Sequence, residues 1–136
     1  MSRKIAQPLI VAFLAIIGLL GVAAGPVHAT SVLNGGCTDH PNTEPCISKS
    51  GNFIYADFYQ IKTPDASMRT AILKIIKNGR EVGRASYTLT RTGRYGPISN
   101  NVATLPPTNG SAYSRVEVYT STGSLHYAVN SPTQTW

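Results

Sequence analysis

The sequence predicts an all-β protein: a small antiparallel β-sandwich or barrel of five to six strands, with at most one short helix. Three observations carry that prediction. NFIYADFYQIK, residues 52–62, is dense in aromatic and β-branched side chains. Asn78-Gly79, a strong short-range hairpin signal, lies between two apolar stretches. AYSRVEVYTSTGSLHYAV, residues 112–129, alternates polar and apolar on both sides of a turn.

The chain opens with MSRKIAQPLIVAFLAIIGLLGVAAGPVHAT. Arg3 and Lys4 form a basic head, Leu9 to Ala24 is almost purely apolar, and Val27-His28-Ala29 resembles a cleavage triplet. This is the layout of a secretory signal peptide over residues 1–29, cut after Ala29. The apolar run falls short of the ~20 residues a membrane-spanning helix needs, so no transmembrane span is expected. The mature chain is then extracellular and 107 residues long. It carries ten Lys and Arg against six Asp and Glu, a net charge near +4. That length suits one domain with its own core, expected to be monomeric.

Residues 30–51 are rich in Gly, Asn, Ser, Thr and Pro and read as an irregular N-terminal segment. Cys37 and Cys46 are the only cysteines. In an exported chain such a nearby pair reads as a disulfide, worth ~2–3 kcal/mol for a loop this short. Asp39 and His40 lie between them, but the spacing matches no zinc pattern, and no metal or cofactor is expected. Residues 52–136 form the β-domain. Its first strand places Ile54, Ala56 and Phe58 on one face and Phe53, Tyr55, Asp57, Tyr59 and Ile61 on the other. The apolar character of both faces predicts a central strand covered on both sides.

AILKIIKNGREVGRASYTLT, residues 71–90, admits two readings. As a helix it has Thr63 for an N-cap, Pro64 and Asp65 in the first turn, and Met68, Ala71, Ile72, Ile75 and Ile76 on one stripe. As a hairpin it turns at Asn78-Gly79, pairing Lys77 with Arg80, Ile76 with Glu81 and Ile75 with Val82. Leu73, Ile75, Val82 and Arg84 then share a face. The clustered isoleucines and the turn favour the hairpin. In the last hairpin, Val116 and Val118 face one way and Tyr113, Arg115, Glu117 and Tyr119 the other. Beyond the turn at 121–124, Leu125, Tyr127 and Val129 share a face. RTGRYGPISNNVATLPPTNGS, residues 91–111, reads as a long polar connection with one short edge strand at 102–105.

No nucleophile elbow, zinc-binding HExxH, phosphate loop or dinucleotide fingerprint is present. His126 and Asp57 read as solvent-facing strand residues, so no enzyme activity is expected. Two signals suggest binding instead. Arg69, Lys74, Lys77, Arg80, Arg84, Arg91 and Arg94 fall within 26 residues that contain one acid, Glu81. Such asymmetry attracts an anionic surface polymer or a protein partner. Export and the lack of a recognition motif argue against nucleic acid. Seven tyrosines are the second signal. Tyr55, Tyr59, Tyr87, Tyr113 and Tyr119 form an aromatic set suited to stacking on sugars or anchoring a protein contact.

The sequence thus predicts a secreted, non-catalytic β-domain that binds a surface or macromolecule, whether cell-wall polyanion, polysaccharide or protein. A small cationic antimicrobial or toxin protein acting on envelopes is the alternative, favoured if residues 67–78 are helical. A secreted enzyme inhibitor presenting the Arg91–Gly110 loop is another.

Overall fold

The structure, a computed structural model, describes residues 34–104 and 110–136. The expected signal peptide lies outside them, as does Leu105 of the expected edge strand. The described residues form β-structure without helix. The strands are β1 (Gly36–Cys37), β2 (Thr43–Ser50), β3 (Phe53–Gln60), β4 (Thr70–Lys77), β5 (Arg80–Thr88), β6 (Gly93–Asn101), β7 (Ser111–Tyr119), β8 (Leu125–Asn130) and β9 (Gln134–Thr135). The first sheet is ordered β1-β2-β3-β6 and the second β5-β4-β7-β8, with β9 pairing β7 beyond β8. All pairings are antiparallel. The two sheets pack as a sandwich.

The hairpin reading of residues 71–90 holds. β4 and β5 turn at Asn78 and Gly79, with φ of 48° and 78°. Positive φ at both centres is what a type I′ turn requires, and Asn-Gly tolerates it best. Lys77 pairs with Arg80 and Ile76 with Glu81 as the spacing predicts. A bulge then slips the register, so Ile75 faces Gly83 rather than Val82. The slip moves Arg84 to the outer face, opposite Lys74, while Val82 packs against the core. The last hairpin also forms, and Ala112, Ser114, Val116 and Val118 are its buried face. A bulge after Val118 pairs Tyr119 with Leu125, leaving Leu125 exposed instead of inward with Tyr127 and Val129.

The segment expected to be irregular, 30–51, departs most from expectation: Thr43–Ser50 is a full strand. Gly51 and Asn52 make a two-residue turn, setting Ser50 opposite Phe53. Thr43, Pro45 and Ile47 then alternate inward and are buried. Proline is tolerated at position 45 because Pro45 O accepts from Thr38 N on the short β1 side, where the missing N–H would also point. The residues between the expected hairpins form β6 at Gly93–Asn101, not an edge strand at 102–105. Val102 instead ends the strand, its N–H donating to Asn52 O. These two segments raise the strand number above the five or six expected.

The core lies between the sheets. Ile47, Ile54, Ala56 and Phe58 face Ala71, Leu73, Ile75, Val116 and Val118, while Met68, Leu89, Val102 and Ala112 complete the cluster. Phe58 stacks on Tyr95 at 5.1 Å and meets Tyr87 edge-on at 5.8 Å.

Candidate binding face

β3 is the interior strand of the first sheet, held by β2 on one side and β6 on the other. Its inward side chains fill the core. Its outward ones do not meet a second layer, so the strand is central but covered on one side only. Phe53, Tyr55, Tyr59 and the following Ile61 are 40, 37, 38 and 47% exposed. Together with Leu125 they are the exposed large hydrophobic side chains among the described residues. Four such residues on one line are unusual for a surface that meets only water. The rings of Phe53 and Tyr55 lie 6.3 Å apart.

Register determines what flanks the stripe. Phe53 sits between Ser50 and Asn101, Tyr55 between Ser48 and Ser99, and Tyr59 between Glu44 and Arg94. Paired residues of antiparallel strands point to the same side, so hydroxyls and an amide border the rings. Asp57 lies between Tyr55 and Tyr59 at a bulge against β6 and forms an ion pair with Arg94. Gly96 makes this approach possible. A Cβ there would lie 3.1 Å from Asp57 Cβ, and its φ is 100°. The Cys37–Cys46 disulfide forms as expected between directly paired residues. It ties β1 across the sheet beside Asp57.

The expected site residues separate into distinct surroundings. Tyr55 and Tyr59 stand on the β3 face. Tyr113 and Tyr119 lie on the outer side of the second sheet, where Tyr119 donates to Glu117 Oε2 at 2.9 Å. Tyr87 meets both Phe58 and Tyr95 edge-on at the sandwich edge, and burial raises its pKa.

The seven basic residues do not gather on one face. Lys74 lies on the outer side of β4, 2.8 Å from Glu117 and 3.7 Å from Glu81. Arg84 meets Glu81 at 2.9 Å. Lys77 is buried, with Nζ 5.5 Å from the Trp136 ring centroid. Arg91 packs over Tyr95, and Arg94 belongs to the β3 face. Arg69 and Arg80 are exposed. Arg115, outside the expected set, donates to Glu117 at 3.0 Å. Burial would raise the Glu117 pKa, but hydrogen bonds from Lys74, Tyr119 and Arg115 outweigh it and lower it to about 2. Two acids distant in sequence, Glu117 and Asp57, thus pair with Lys74 and Arg94 of the cationic stretch.

Phe53, Ile61, Ser48, Ser50, Ser99 and Asn101 were not singled out from sequence. Alternation gives the outward side of β3, but the serines and Asn101 lie on strands whose composition is that of polar connections. His126 is exposed near Tyr127, and the His40 ring lies 5.4 Å from Tyr127. Among the described residues, no group of three or more His, Cys, Asp and Glu could hold a metal ion, and no helix is long and apolar enough to cross a membrane. No protein-family model matches the chain, and no curated protein matches it in sequence.

Proposed function

We propose that this protein is an exported, non-catalytic β-sandwich that binds an extracellular macromolecule through the outer face of β3. One observation carries the reading: Phe53, Tyr55, Tyr59 and Ile61 stand exposed in a row on the interior strand of a sheet. Burying such rings is the main source of contact energy in recognition, and a rigid strand fixes them at little entropic cost. The disulfide suits an oxidising, extracellular setting.

The other two readings have weaker support. Residues 70–77 are strand, so the amphipathic helix favouring an envelope-active toxin is absent from that stretch. Of the loop an inhibitor would present, Gly93–Asn101 is the strand β6, paired with β3.

The test compares wild-type protein with Tyr55→Ala and Tyr59→Ala in sedimentation with insoluble extracellular polymers and with a crude cell-wall fraction. Circular dichroism first establishes that each variant is folded. The expected result is retention that falls about tenfold or more with either tyrosine removed and does not change with Arg80→Ala. Retention indifferent to both tyrosines overturns the assignment of the face.

A further inference from the structure

We propose that the β3 face takes a neutral, extended polysaccharide chain lying along the strand; this rests on the binding reading above and gives it a ligand class. Shape is the first argument. Phe53 to Tyr59 is six strand steps, a span of ~20 Å at ~3.4 Å per step, with the Asp57–Arg94 pair between Tyr55 and Tyr59. A line of rings fits a linear polymer better than a compact small molecule, which favours an enclosing cavity.

The second argument is the position of the strand. β2 and β6 both pair with β3. A peptide adding as a further strand requires a free sheet edge, and β3 has none. Only side chains can grip a ligand here, and three of them are flat rings: Phe53 and Tyr55 bordered by Ser48, Ser50, Ser99 and Asn101, and Tyr59 bordered by Glu44 and Arg94. A pyranose ring matches this arrangement. Its C–H faces rest on the electron-rich ring faces, while its equatorial hydroxyls reach sideways to serine hydroxyls and the amide.

The third argument is charge. Among the residues registered onto this face, the one cation is Arg94, and Asp57 pairs with it. Glu44, beside Tyr59, adds a negative charge. A polyanion would find no excess cation along the stripe and would be repelled near Glu44. The cationic residues of β4 and β5 belong to the other sheet.

The experiment measures retention of the full mature chain on microcrystalline cellulose, chitin and an insoluble mannan, and on polygalacturonate as the anionic probe. Each is run at low and high salt with wild type, Tyr55→Ala, Tyr59→Ala and Arg84→Ala. Sedimentation velocity reports self-association. The expected result is retention on at least one neutral polymer, insensitive to salt. It should drop about tenfold or more in either tyrosine variant and remain unchanged in Arg84→Ala. Retention confined to polygalacturonate, salt-eluted but still lost in the tyrosine variants, overturns the neutral ligand while keeping β3 as the site. A dimer abolished by Tyr55→Ala, without retention on a neutral polymer, makes the face a self-contact and also overturns the proposal. Retention lost in Arg84→Ala but kept in both tyrosine variants overturns both this proposal and the site it rests on. Retention on none of the neutral polymers overturns the proposal outright.

Discussion

Glu117 accepts from three donors, Lys74, Arg115 and the Tyr119 hydroxyl, on a side chain only 13% exposed. Its pKa falls from 4.5 to about 2 on folding. A carboxylate with a depressed folded-state pKa contributes stability that is fully present above its unfolded value. That contribution is lost as pH falls from about 4.5 toward about 2. At 1.36 kcal/mol per unit, its ceiling is ~3 kcal/mol. Urea unfolding across that window should show wild type losing stability on acidification and Glu117→Gln losing less. Parallel curves for the two proteins would remove Glu117 from the explanation. Gly96 is the other residue with a sharp role. Gly96→Ala meets Asp57 at 3.1 Å on a backbone of φ 100°, and the strained conformation should cost ~1–3 kcal/mol. Thermal unfolding reads that loss.

At the scale of elements, the hairpins show what sequence could convey. Asn78-Gly79 announced β4 and β5 because a type I′ turn requires positive φ and few residue pairs accept it. Gly79→Ala should therefore cost ~1–2 kcal/mol and lower the melting temperature with no change in circular dichroism shape. An unchanged melting temperature would mean the turn relaxes freely. Gly51-Asn52 sends a similar signal, yet β2 was hidden. Its proline and serines read as loop, and only the short β1 beside it makes Pro45 tolerable. β6 was hidden for a related reason. Gly93, Gly96 and Pro97 break its pattern, and its place is set by pairing with β3 some forty residues earlier. The bulges after Ile75 and Val118 were illegible too, since alternation says nothing about an inserted residue. The aromatic stripe was legible as a face of one strand. Its exposure was not, because which side of a sheet is covered depends on a second sheet. The cationic cluster shows the converse: sequence proximity conveys seven charges but not the acids, Glu117 and Asp57, that other strands bring to Lys74 and Arg94.

At the scale of the whole molecule, Phe58 links the sheets. It is fully buried and touches both Tyr87 on β5 and Tyr95 on β6. Phe58→Ala should cost ~3–5 kcal/mol, and near-ultraviolet circular dichroism should lose the tyrosine signal of that cluster. A loss below ~1 kcal/mol would show the sheets repacking around the gap. The far-ultraviolet spectrum of residues 30–136 should be of β type and unaltered by anionic lipid vesicles; a helical component induced by lipid would favour the envelope-active alternative. The pairing pattern also bears on how the chain reaches this state. The β2–β3, β4–β5 and β7–β8 ladders each close within a local hairpin. The β3–β6 and β4–β7 seams join strands separated by whole elements, and neither sheet is complete without one. Local hairpins can form in microseconds, whereas closing distant seams sets a slower pace for proteins of this topology. Refolding should accordingly be limited by the arrival of β6 and β7, and until they arrive both long edges of the newly made hairpins stay open to other chains.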